Sequence, residues 1–486
     1  MTNTYRAIAR GVAVQFGARV VALVASVVSV GIATRYLGVE QYGILTSAVV
    51  FVGLFQTLTE LGIGSIIIRR VAAGTGALRD LVSLSLGMSW LYAVPVAVLA
   101  SLAGLGIYAG DSERQLAVAI LSTGLIFNSL ASSYQPVFSV HIRFSAVALA
   151  DVVSRCLTLA VTTAVVAADE GLLAIAAAQA VPPIVQYVVT RVGALRMVQI
   201  KPTFRRREAL ELFRESLPLT MSIFVGVLYW RADGVLLSLI SDNEQIGAYG
   251  LALPLAFNLS IIGVLFAESS FSPIAERVTT DRVAALRAVQ RGMRFLLICA
   301  MPVAVLGWPL AGHIVNAIAS DEFRSLTTVP LRLFFVAVAV GFFSQLLSDL
   351  LLVVHEQPFL LRVSAINLLV NILLNVALIP FLGAVGCGIA LVASESMGVL
   401  FAVLRLRWAG LAVNPLSGIG RLLLPTAAAL AVCLLTVDLP VVVPVLASGL
   451  TYGGALLLLR VITVPELTEF VGGGRKDAEA PDADPS

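Results

Sequence analysis

Ionisable and amide side chains recur at helical spacing inside stretches that are otherwise apolar. Gln15, Arg19, Ala22, Ser26 and Ser29 share one face by the i, i+4, i+7 rule, and Gly53, Gln56 and Glu60 form a second stripe. Further stripes are Asn128, Ser132 and Gln135; Asp151, Arg155, Thr158 and Thr162; Ser222, Gly226, Tyr229 and Asp233 with Arg231 close by; Gly341, Gln345 and Asp349; and Asn367, Asn371 and Asn375. Glu268 lies in a further apolar run. A fixed guanidinium binds phosphate oxygens bidentately and keeps its charge at any working pH. A carboxylate beside it can neutralise it or carry a proton or sodium ion. Hydroxyl and amide groups at these positions also serve as interhelical glue. Asp151 and Arg155, four apart, are placed to pair locally. Residues two apart on a helix point about 200° apart, so Asp233 belongs to its stripe, and Arg231 shares that side only by its long stem.

Other chemistry finds little support. Cys156, Cys299, Cys387 and Cys433 each stand alone in apolar runs, and His141, His313 and His355 show no metal-ligand spacing. No GxxxxGK[ST] loop, GxGxxG opening or GxSxG elbow is present. The expectation is a protein that is not an enzyme, with no metal and no cofactor beyond a proton or sodium gradient.

The elements that must hold these groups are membrane spans. The 486 residues are 59% hydrophobic and 13% charged, against about 25% charged in an ordinary soluble chain. That excludes a water-soluble enzyme and a nucleic-acid-binding module. Apolar runs bounded by charges predict an all-α integral membrane protein with 14 transmembrane helices: 12–34, 43–64, 81–108, 115–138, 145–168, 171–195, 216–240, 246–273, 295–318, 327–353, 361–382, 384–404, 421–438 and 440–462. Cytoplasmic loops retain Lys and Arg. With both termini cytoplasmic, 25 of the 32 basic residues fall on the inner side, whereas the outer loops carry only Arg35, Arg114 and Arg324. The outer loops are short and acidic, as at Asp111, Asp169, Asp242 and Asp321.

The chain repeats itself weakly. Tyr42-Gly43 opens one span and Tyr249-Gly250 another, Glu60 and Glu268 follow at similar distances, and Arg69 and Arg277 each come nine residues later. The expected organisation is two pseudo-symmetric six-helix bundles, 1–198 and 216–410, related by an axis along the membrane normal. A cytoplasmic amphipathic linker at 199–215 joins them. Helices 13 and 14 (411–464) are appended, and 465–486 reads as a disordered cytoplasmic tail. Two polar-lined bundles with ionisable groups at depth describe a transporter with a cavity between its halves.

Arg35-Tyr36-Leu37-Gly38, Tyr42-Gly43, then Leu61-Gly62-Ile63-Gly64 and Arg69 resemble the opening signature of the polysaccharide-transporter family. These are repeat-unit flippases of the multidrug/oligosaccharidyl-lipid/polysaccharide exporter superfamily. Arg231-Ala232-Asp233 followed by Gly247-Ala248-Tyr249, and Asn371 to Asn375 leading to Ile379-Pro380, Gly383, Gly386 and Gly388, resemble its second half. The resemblance implies transfer of a polyprenyl-pyrophosphate-linked oligosaccharide from the inner to the outer leaflet of the plasma (inner) membrane by alternating access, coupled to an ion gradient. It implies a cationic lumen of Arg19 and Arg231 and ion-coupling candidates in Asp233, Glu60 and Glu268; the polar stripes add Gln15, Asn128, Gln345 and Asn371 as substrate-binding candidates and Asp349 as a further coupling candidate. The expected partners are the lipid-linked oligosaccharide, membrane lipids, and glycosyltransferase or polymerase neighbours, with no nucleic acid. Lipid II flippases of the superfamily carry lumenal arginines in their first two spans, where the second span here offers Glu60. The competing expectations are a cation-coupled multidrug exporter of the same fold, which predicts an acidic or aromatic cavity, and a membrane polymerase or ligase, which needs larger outer loops.

Overall fold

The first apolar stretch is too long for one crossing. Val21–Ala72 holds 52 residues, about 78 Å as one straight helix against roughly 30 Å of hydrocarbon. In the computed structural model, which describes residues 2–141 and 144–461, the backbone breaks twice within it. Side chains are described from 21 onward, apart from those of residues 60, 144–148, 272 and 279. Gly38, at φ 70 and ψ 175, divides α1 (Thr2–Glu60), and Leu61 and Gly62, at φ 47 and 57, separate it from α2 (Ile63–Ala72). Only glycine takes the Gly38 conformation without strain.

The signature around Gly38 closes on itself. The Tyr36 hydroxyl donates to Asp169 Oδ1 at 2.7 Å and accepts from the Gly171 N–H at 3.0 Å. The Val39 N–H, freed by the break, donates to Glu322 Oε2 at 3.3 Å. At the second break, the Thr220 hydroxyl donates to the Leu61 carbonyl at 2.6 Å.

The chain continues through α3 (Leu78–Ile107), α4 (Ser112–Val140), α5 (Phe144–Ala167), α6 (Gly171–Gln179), α7 (Val181–Leu195), α8 (Arg206–Ile240), α9 (Asn243–Phe257), α10 (Ile261–Thr280) and α11 (Arg282–Ile318). Then follow α12 (Asp321–Val353), α13 (Gln357–Leu382), α14 (Ala384–Trp408), α15 (Ile419–Thr436) and α16 (Val442–Leu458). Three aspartates start helices. Asp111 Oδ1 accepts from the Arg114 N–H, Asp242 Oδ1 from Gln245, and Asp281 Oδ1 from Val283 and Ala284, all at 2.9–3.0 Å. Each satisfies amides that a helix start leaves unpaired. At Asp281 these amides, with Arg287 nearby, hold the carboxyl below its usual range.

Twelve helices among the described residues are long and apolar enough to cross a membrane. The first of them contains two of the expected spans, and the last expected span, α16, is a shorter 17-residue helix. The all-α membrane layout is as expected, with twelve candidate crossings among the described residues, the first of them broken, against the fourteen expected. The segment expected as the amphipathic linker, 199–215, is tied into the fold. Its last ten residues are the opening turns of α8, and the Thr203 N–H donates to the Ser83 carbonyl of α3 at 3.0 Å. Gly87 makes room for this, since a side chain there would overlap the Thr203 carbonyl. The expected tail at 465–486 lies outside the described residues.

The chain divides into two compact units. The first holds Met1–Leu251, Ile318–Thr327 and Asn371–Cys387; the second holds Ala252–Ala317, Thr328–Val370 and the residues from Gly388. Within the first unit, hydroxyls join helices. Ser85 and Ser89 bond Ser133, Ser129 bonds the Tyr92 hydroxyl, and Tyr92 donates to the Thr59 carbonyl at 2.7 Å. The helices that carry the two repeated Tyr-Gly steps also pack together there. A side chain on Gly43 would overlap the Asn243 carbonyl oxygen, one on Gly247 the Val39 carbonyl oxygen, and one on Gly250 the Thr46 side chain. Small residues let helices approach this closely.

Within the second unit, Phe266 stacks on Phe295 at 4.8 Å, and Arg405 pairs with Glu356 at 2.7 Å. The Tyr452 hydroxyl ties α16 to the Ile298 carbonyl of α11 at 2.9 Å. Leu435, Leu450 and Leu458 leave α15 and α16 with exposed apolar faces, which suits contact with lipid rather than water.

Candidate functional site

Arg231 stands nine residues before Ile240, the end of α8, so it lies about 14 Å along the helix from that end. Gly53 lies ten residues beyond Gly43 on α1, about 15 Å from the same closely packed region. The two meet. A methyl group built on Gly53 would come within 2.8 Å of Arg231 Nη1, 3.0 Å of Cζ and 3.3 Å of Nε. The half-buried guanidinium is therefore laid against the Gly53 backbone. Among the described residues, no carboxylate lies within 4.0 Å of it. A charge placed so deep costs about 2.5–3.5 kcal/mol on insertion scales, and such a group is retained where it has water or an anionic partner.

Asp233 faces elsewhere, as the two-residue offset requires. It is 3% exposed, accepts from the Tyr249 hydroxyl at 2.9 Å and from the Gly234 N–H at 2.8 Å. Gly234 admits the Tyr249 ring, whose Cε1 lies 2.9 Å from where a β-carbon would stand. Asn371 and Asn375 are both buried, and the Asn375 amide donates to Asn371 Oδ1 at 3.0 Å. Asn128 is half-buried on α4. Its neighbours Ser129 and Ser133, rather than Ser132 and Gln135 of the predicted stripe, carry the contacts to α3.

In the second unit, Gln345 and Asp349 are one turn apart on α12 and bond at 3.4 Å. Glu268 lies on α10 of the same unit. Asp349 is only four residues from the end of α12, about 6 Å along the helix, so it stands near one end of the span. Glu268 and Gln345 are exposed. A third carboxylate, Glu395, belongs to none of the polar stripes. It is 6% exposed on α14 and accepts from the Ser344 hydroxyl at 2.6 Å. Its signal in the sequence is a single carboxylate in the apolar run of α14. Asp151 and Arg155 form the expected local pair, at 3.5 Å. The side chains of Gln15, Arg19 and Glu60 lie outside the described residues.

Among the described residues, the arrangement offers the Arg231 guanidinium at depth in the first unit and a set of carboxylates in the second. Among solved structures, the fold resembles that of lipid II flippase MurJ in an inward closed conformation, at a TM-score of 0.75 and 15% identity over 92% of this chain and 98% of that one. It also resembles an inward-facing multidrug resistance MATE family transporter of the MOP superfamily, at a TM-score of 0.61 and 15% identity over 80% and 94% of the two chains. At these identities the likeness is one of fold. A probable flippase, AglR of Haloferax volcanii, is 28% identical over 242 residues. That match spans 48% of this chain and about half the length of the relative. Residues 32–328, more than half of the 486, match the family described as polysaccharide biosynthesis protein, and this chain belongs to that family.

Proposed function

We propose that the protein carries a polyprenyl-pyrophosphate-linked oligosaccharide from the inner to the outer leaflet of the plasma membrane, by alternating access of two six-helix halves with both termini cytoplasmic. The observation that carries this reading is Arg231, a permanent cation deep in a span whose guanidinium has no carboxylate within ion-pair distance among the described residues. Such a group fits an anionic headgroup: two parallel N–H donors meet two phosphate oxygens. Family membership and the likeness to AglR support the substrate class. Asn128, Gln345 and Asn371, with Arg19 and Gln15, complete the proposed substrate set. Asp233, Glu60, Glu268 and Asp349 are the proposed carriers of a coupling proton or sodium ion.

Glu268, Asp349 and Glu395 in the second unit also favour a second reading, a cation-coupled exporter of small molecules, which the fold likeness to a MATE transporter accommodates.

The test is leaflet exchange of a fluorescent polyprenyl-pyrophosphate-linked disaccharide in proteoliposomes. Losing a bidentate pair of charge-assisted hydrogen bonds removes about 3 kcal/mol, so Arg231→Ala is expected to slow exchange by about a hundredfold. Arg231→Lys, which keeps the charge without the fork, should fall between. Exchange at the wild-type rate in Arg231→Ala contradicts the reading. A wild-type rate that ignores imposed pH and sodium gradients removes the coupling roles.

A further inference from the structure

We infer that Gly53 is a positioning residue whose missing side chain is the seat of the Arg231 guanidinium. The inference rests on the proposed role of Arg231 and adds to it how the sequence fixes the cation's place.

Glycine is a poor choice inside a helix, because it gives up backbone entropy and packs nothing. Gly53 sits inside α1 with ordinary helical geometry; the break is fifteen residues earlier, at Gly38. Nothing in the backbone asks for glycine there, so the reason is space. At Gly43, Gly87 and Gly247 the space is taken by a neighbouring backbone carbonyl, the ordinary use of small residues between helices. At Gly53 it is taken by a side-chain cation. The nearest atoms to its absent β-carbon are Nη1, Cζ and Nε of Arg231, at 2.8, 3.0 and 3.3 Å. Gly410 and Gly418 also lie near arginines, but both have positive φ and flank helices rather than lie inside them. Among the described residues, Gly53 is thus the glycine inside a helix that receives a guanidinium.

The physical consequence separates function from stability. The tip of an arginine is mobile, so a methyl group at position 53 is accommodated by moving the guanidinium, and alanine is the better helix former. The fold is kept while the fork that meets phosphate is displaced by the order of an ångström. Misplacement on that scale is enough to cost up to about a hundredfold where geometry is demanding.

The experiment measures binding of undecaprenyl pyrophosphate to the full chain in lipid nanodiscs, with thermal unfolding of each variant alongside. Gly53→Ala is expected to melt at or above the wild-type temperature and to bind about tenfold more weakly. In an Arg231→Ala background, Gly53→Ala should have no further effect, because contacting residues are non-additive. A Gly53→Ala protein that binds like wild type, or whose loss simply adds to that of Arg231→Ala, overturns the inference. A binding loss that tracks a fall in melting temperature overturns it too, by making Gly53 merely structural. If Arg231→Ala itself binds like wild type, the proposed function fails and the inference with it. A weakened Arg231→Ala beside an unaltered Gly53→Ala sinks this inference alone.

Discussion

Gly43→Ala is expected to prevent accumulation of the stable fold, although it adds one methyl group. The added carbon would overlap the carbonyl oxygen of Asn243, with the carbonyl carbon only 2.7 Å away. These are backbone atoms at the start of α9, so no rotamer change relieves the clash. Gly247 faces Val39 in the same way, and its missing β-carbon would stand 3.3 Å from the Gly43 nitrogen. The helices therefore cross with both glycines committed. Overpacking costs about 1–3 kcal/mol where side chains can yield, and more where they cannot. The check is thermal unfolding in detergent followed by size-exclusion chromatography, with Gly226→Ala as control. Gly226 lies in α8 with nothing within 4 Å of an added β-carbon, so alanine there should stabilise by about 0.5–1 kcal/mol. A Gly43→Ala protein that melts with the wild type would show that the crossing is looser than these distances require.

The second large effect is expected at Asp233 and Tyr249. Tyr249 is 2% exposed and donates to a carboxylate that is itself buried. Tyr249→Phe keeps the ring against Gly234 and removes the donor, which costs about 1.5–3 kcal/mol for a hydrogen bond to a charged group. Asp233→Asn is the informative partner. Its amide oxygen still accepts from Tyr249, so the fold should survive. If Asp233 also carries the coupling ion, transport by Asp233→Asn loses its response to an imposed gradient while its melting temperature stays within a few degrees of wild type. Gradient-driven transport that persists in Asp233→Asn would reduce Asp233 to a packing role.

These expectations show where the sequence was legible. Gly38 stands between two apolar runs, and chain length against bilayer thickness already demanded a break near it. Arg231 and Asp233 were separable in advance, because an offset of two residues fixes opposite directions on any helix. Asp151 and Arg155 paired for the same local reason. Long-range choices were not legible. Nothing near Asp233 announces that its donor is Tyr249, sixteen residues away on another helix. On α14 no polar residue stands three or four positions from Glu395 to make a stripe with it, and its partner Ser344 is on α12. The segment before α8 reads as part of an amphipathic linker, and its backbone contact with α3, admitted by Gly87, does not show in that pattern. Gly53 was visible as a small residue in a polar stripe, but the group that fills its place comes from α8. In each case the hidden partner is set by tertiary packing, which helical periodicity does not encode.

The proposed function requires a transported headgroup that is negatively charged. The most direct measurement is equilibrium competition on the wild-type chain in nanodiscs between a fluorescent polyprenyl-pyrophosphate-linked oligosaccharide and the lipophilic cation tetraphenylphosphonium. Saturable binding of the anionic lipid, displaced by unlabelled polyprenyl pyrophosphate and indifferent to the cation, is the predicted result. Saturable binding of the cation, with no specific uptake of the pyrophosphate lipid, would contradict it and assign the chain to small-molecule export.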